Sequence, residues 1–98
     1  MLMNKIQYLL GKVAEECIEV AQRALKAQQF GLEEREQITS LNNWERMEQE
    51  LNDLDAVIKL LEEEYQKTFF IDYQEGLIKK DKVDRYYKYS QSLGMVDK

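Results

Sequence analysis

Residues 2–31 read LMNKIQYLLGKVAEECIEVAQRALKAQQFG, and this stretch decides the fold. Apolar side chains fall at Ile6, Leu10, Val13, Cys17, Val20 and Ala24, in steps of 4, 3, 4, 3 and 4. That is the spacing of a helix-bundle seam. A second strip, Ala14, Ile18, Ala21 and Leu25, runs beside it. At about 100° per residue the two strips together cover about half of the helix surface. A chain of 98 residues offers little against which to bury so wide a face. A homo-oligomer, dimer or tetramer, is therefore expected to complete the bundle.

The rest of the chain reads the same way. There is no Pro, and Leu, Glu, Lys, Gln and Ala are abundant, which favours helix. The first helix is predicted over residues 2–28, with Gly31 just past its end. A second is predicted over residues 41–66, capped by Ser40 or Asn42, and a shorter third over residues 73–90. Thr68, Phe69, Phe70 and Ile71 are β-prone, but a lone four-residue run makes no sheet, so they read as a buried connector. The expected fold is all-α: a helical bundle of two long helices and a shorter third, in a single domain over residues 1–98.

Composition removes several kinds of function. Lys and Arg number 14 against 19 Asp and Glu, for a net charge of −5, which argues against binding a nucleic-acid polymer. With no His, imidazole bases, Ser-His-Asp triads and His-ligated zinc are out. The single Cys17 allows no intrachain disulfide and reads as a small core residue on the seam. Four Gly leave no P-loop or GxGxxG turn. No signal peptide or membrane-length apolar run is found, so the expectation is a cytoplasmic protein without membrane contact. Chemistry falls to carboxylates, Lys, Arg, Tyr and a bound metal.

The acids are informative where they are misplaced. Glu33, Glu34, Glu36, Glu62, Glu63 and Glu64 read as solvated. The second helix has its apolar face at Met47, Leu51, Leu54, Val57, Ile58, Leu61 and Tyr65, and both Glu50 and Asp53 point to the core side of it. They are one turn apart, so two like charges become half-buried neighbours. Glu16 lies at the edge of the first helix's apolar arc, with Glu19 a turn further on and Glu15 on the same flank. If the helices pack antiparallel, Glu16, Glu19, Glu50 and Asp53 converge. A set of hard oxygen ligands of that kind suits Mg²⁺ or Mn²⁺. Salt bridges from these acids to Lys12, Arg23, Lys26 or the third helix are the alternative.

The run Glu15, Glu16, Cys17, Ile18, Glu19 matches EExxE, and Glu50, Leu51, Asn52, Asp53 matches ExxD. In this order on helices they resemble the all-α nucleotide pyrophosphohydrolase superfamily, which holds MazG, dimeric dUTPases and dCTP pyrophosphatases. The runs KVAEECIEVAQRALKAQQFG (residues 12–31) and ELNDLDAVIKLL (residues 50–61) look like the short MazG-like proteins of phages and prophages. The tail with Lys79, Lys82, Tyr86 and Ser90 is similar to that branch too, so the likeness spans residues 8–94. Two features depart from the pattern. The acid motifs are 30 residues apart, beyond the usual loop of MazG. The last helix has Lys82-Val83 and Arg85-Tyr86 where an Asn often follows the Lys, and that touches base preference more than metal binding.

The resemblance implies hydrolysis of a nucleoside triphosphate to the monophosphate and pyrophosphate. It implies Mg²⁺ on Glu16, Glu19, Glu50 and Asp53, with Glu15 or Glu16 taking the proton from water. Phosphate donors would be Lys79, Lys82 and Arg85, then Lys12, with a solvated cover over an acidic bundle as their alternative; Tyr86 would reach the site, and Trp44 would stack on a base or else pack in the core or an interface. A nucleotide-binding protein without turnover and a structural helical module are the competing readings.

Overall fold

The structure, a computed structural model, describes residues 2–97. It is all-helical: α1 (Lys5–Phe30), α2 (Asn43–Tyr65) and α3 (Tyr73–Ser92). Among the described residues there is no strand, only an isolated antiparallel bridge between Arg35 and Asn42. No helix there is long and apolar enough to cross a membrane. The chain divides into two compact units, one up to Thr68 and one from Phe69 onward.

The first unit is a hairpin of α1 and α2. The sequence predicts α1 from residue 2, but it starts later because Asn4 caps it. Asn4 Oδ1 accepts from the Gln7 amide at 2.8 Å while Gln7 Oε1 accepts from the Asn4 amide at 2.9 Å. Gly31, with φ at 93°, ends α1, and its N–H donates to the Ala27 carbonyl. At α2 the cap is Asn42, in the same reciprocal arrangement with Glu45. Ser40 instead sits at φ 62° in the preceding turn, its N–H donating to the Glu36 carbonyl at 2.8 Å.

The loop between the helices is held by Asn43, whose exposure of 1% is the lowest in the fold's buried set. Its amide donates to the Gly31 carbonyl at 2.7 Å and to Glu34 at 2.9 Å, and its Oδ1 accepts from Arg46 at 3.2 Å. Asn43→Ala strips a partner from the Gly31 carbonyl and from the Arg46 guanidinium, and empties a buried position. The expected cost is about 1–3 kcal/mol. In a domain of this size that lowers Tm by several degrees in a thermal melt; a melt unchanged from wild type contradicts the role given to Asn43.

α1 and α2 run antiparallel: Lys5 pairs with Glu64 at 3.2 Å near one end, and Arg23 reaches Glu50 at 3.8 Å towards the other. The covered stripe of α1 is Ile6, Leu9, Val13, Glu16, Val20, Arg23 and Ala27. Facing it, α2 buries or half-buries Asn43, Met47, Glu50, Leu54, Val57, Ile58 and Leu61. Two corrections follow. Leu10, Cys17 and Ala24, expected in the seam, are exposed, because α2 packs on the other side of the line through Ile6, Val13 and Val20. Cys17 is thus an exposed free thiol and not a core residue. Leu51 and Tyr65, placed on the apolar face of α2, are exposed for the same reason: a two-helix hairpin covers one narrow stripe per helix. The second strip of α1 also lies open, with Ile18 at 58% and Leu25 at 63% exposure.

The second unit is α3 and its tail. Asp72 caps α3, accepting from the Gln74 and Glu75 amides. At the far end Gly94 has φ 76°, and the Gln91 side chain donates to the Asp97 carbonyl at 2.8 Å. The segment before α3 is a further correction. Phe69, Phe70 and Ile71 are 59%, 86% and 87% exposed, so residues 68–71 are no buried connector.

Candidate functional site

The two acidic pairs are positioned by the hairpin itself. Glu16 occupies a seam position of α1, seven residues before Arg23, and Glu50 a seam position of α2; both are half-buried, while Asp53 one turn on is exposed. One oxygen from each of Glu16, Glu50 and Asp53 lies within 4.8 Å of the others. Glu16 Oε2 and Glu50 Oε2 are buried and have no hydrogen-bond partner.

The electrostatics follow from that crowding. The Glu16 carboxyl is raised above its ordinary value, first by burial, then by the charges of Glu19 and Asp53, with hydrogen bonding to Glu19 and the charge of Glu15 adding to it. Glu50 is raised as well: burial leads, followed by hydrogen bonding to Glu19 and its charge, then the charge of Asp53. Arg23 acts the other way on Glu50 and does not outweigh these. The hairpin's own side chains therefore do not neutralise this cluster, since one guanidinium stands among several carboxylates.

Sequence reasoning named Glu16, Glu19, Glu50 and Asp53. Three of them form the close triad, and Glu19 is an immediate neighbour of Glu16 and Glu50 beside it. Glu15 points elsewhere, its carboxylate on Lys12 at 3.1 Å. That ion pair, with Tyr8 stacked 5.3 Å from the ammonium, raises the Lys12 pKa; the hydrogen bond to Glu15 is the main cause. Trp44 lies exposed in the first turn of α2. Lys79, Lys82, Arg85 and Tyr86 are all exposed on α3, in the second unit, where Arg85 pairs with Asp81 at 2.9 Å.

Arg23 is the residue that the site reading passed over. From the sequence it is only a candidate salt-bridge partner; it does face Glu50, but it also walls a cavity of about 270 Å³ next to the triad. Glu19, Gln22, Lys26 and Glu50 line the rest. The signal was its seven-residue offset from Glu16, which puts both on one stripe of the helix. No family model, curated protein or solved structure matches this chain.

Proposed function

We propose that this chain is a MazG-like, Mg²⁺-dependent hydrolase that splits (d)NTPs into (d)NMP and pyrophosphate, in nucleotide-pool housekeeping in the cytoplasm. The observation that carries the reading is the triad: carboxylate oxygens of Glu16, Glu50 and Asp53 within 4.8 Å of one another, two of these groups with a buried, unpartnered oxygen. Like charges held half-buried cost stability unless a cation joins them.

The residues present suit a hard divalent ion, Mg²⁺ or Mn²⁺. Glu16, Glu50 and Asp53 would hold it, with Glu19 beside them. When bound, such an ion brings the acidic site and the polyphosphate together and neutralises charge on the leaving pyrophosphate. Glu16 is the better placed general base, since it stands in the triad where the polyphosphate and the attacking water would meet. Glu15, engaged by Lys12, is the second candidate. Lys79, Lys82, Arg85, Tyr86, Lys12 and Trp44 are the proposed nucleotide contacts. The bond that breaks joins the α-phosphate to the β-phosphate, and water supplies the oxygen.

The test is pyrophosphate release from a panel of NTPs and dNTPs with Mg²⁺, Mn²⁺ or EDTA. Metal-dependent release with monophosphate as co-product is expected. Binding of nucleotide and metal without release moves the reading to a nucleotide-binding protein. The proposal includes a homo-oligomer, supported by the open strip of Ile18 and Leu25 on α1. Light scattering should give a multiple of 11.7 kDa, and a clean 11.7 kDa monomer refutes it.

A further inference from the structure

The cavity beside the triad is built almost entirely from one helix. Glu19, Gln22, Arg23 and Lys26 of α1 line it, and α2 adds Glu50. Every one of these side chains is polar or charged, so the cavity offers nothing to an apolar ring. Arg23 is held there loosely. Its Nε lies 3.8 Å from Glu50 Oε1, an ion pair too long to be a hydrogen bond, and its Nη1 is buried with no hydrogen-bond partner. A half-buried guanidinium with a buried, unpartnered Nη1 and only a long contact at Nε is a group set for an acceptor it does not yet have.

The charges decide which acceptor. Two carboxylates and two cations line the cavity, a near balance. If Glu50 and its neighbours are engaged by a divalent ion, the cations left free are Arg23 and Lys26, three residues apart and so on one face of α1. An Arg fork with a Lys beside it and an amide from Gln22 is a donor set for a tetrahedral oxyanion.

We infer that this cavity is the polyphosphate subsite of the site, in which Arg23 and Lys26 bind a phosphoryl group next to the acid triad, Arg23 exchanging its loose contact with Glu50 for phosphate oxygens. The inference rests on the hydrolase reading for the identity of the ligand. It also makes Arg23 the resident cation of the metal-free site.

The experiment is calorimetric titration of the wild-type chain with inorganic pyrophosphate in excess Mg²⁺, and with Mg²⁺ alone, against Arg23→Gln and Lys26→Gln. Each variant should bind pyrophosphate at least about tenfold more weakly, the loss of one charge-assisted phosphate contact. Mg²⁺ alone should bind no more weakly than to wild type, and more tightly to Arg23→Gln, which lacks the competing cation. Lys26 is exposed, so its variant tests the subsite even if Arg23→Gln loses helix content by circular dichroism. A non-hydrolysable triphosphate should show the same losses if the cavity takes the substrate's phosphates; losses with free pyrophosphate alone assign it to the product. Equal pyrophosphate binding by wild type and both variants overturns the inference, as does a wild type that binds Mg²⁺ but no pyrophosphate. Pyrophosphate binding that depends on Arg23, in a protein that hydrolyses no triphosphate, keeps the subsite and removes the hydrolase reading.

Discussion

Asp53→Asn is expected to reduce pyrophosphate release by about 100-fold or more while the hairpin stays folded. Residues that merely support metal ligands cost about 10–100-fold when changed, and Asp53 is proposed as a ligand itself. The fold should survive because Asp53 is exposed and, among the described residues, has no cation within ion-pair distance. Removing its charge relieves repulsion on Glu16 and Glu50, since the charge of Asp53 helps to raise both carboxyls. The melting temperature of the metal-free variant should equal or exceed that of wild type. Glu16→Gln should behave alike. Glu50→Gln separates the effects: it loses the same catalysis, but it also takes from Arg23 the carboxylate 3.8 Å away, so its gain in stability should be smaller. The measurement pairs steady-state release with thermal melts in EDTA. Unfolding of Asp53→Asn, or full activity in it, makes the acids structural and ends the site reading.

The acids were legible because their spacing is a geometric fact. Glu50 and Asp53 one turn apart, on the core edge of a helix otherwise read by its Leu, Val and Ile positions, conflict with hydropathy, and such conflicts mark sites. The seam was legible at Ile6, Val13 and Val20 and misread between them. Leu9 and Leu10 are both apolar and about 100° apart, so hydropathy alone does not choose between them. The choice depends on α2, which packs on the side of Leu9, Glu16 and Arg23. Two of those three are charged, and a search for apolar periodicity passes over them. Asn43 was hidden for a related reason. It is buried through bonds to Gly31, Glu34 and Arg46, and two of those partners lie nine or more residues away. Helix ends were legible to within a few residues because Asn42 and Gly31 carry local capping chemistry. Phe70 and Ile71 were misjudged because bulk was equated with burial.

Divalent metal should stabilise this protein strongly at neutral pH and lose that effect on acidification. A ligand that binds only the folded state adds about 2.7 kcal/mol at a hundred times its Kd. In a domain of this size each kcal/mol moves Tm by about 4–8 °C, so saturating Mg²⁺ should raise it by about 10 °C or more over EDTA. The pH dependence follows from the direction of the carboxyl shifts. Glu16 and Glu50 are raised in the folded state, so folding takes up protons at pH values between the ordinary carboxylate value of 4.5 and their raised ones. Above their raised values both are ionised and their mutual repulsion opposes folding in full. As pH falls through the raised values the folded form protonates first, and their contribution to stability improves down to the ordinary value. The ion binds only the deprotonated carboxylates, so protons compete with it over that same window. The difference in Tm between Mg²⁺ and EDTA should therefore shrink steadily towards pH 4.5 and be small at every pH in Asp53→Asn. A wild-type melt indifferent to Mg²⁺ and Mn²⁺ across the whole range means that the cluster holds no divalent cation, and that Arg23 at 3.8 Å is the nearest charge partner Glu50 has.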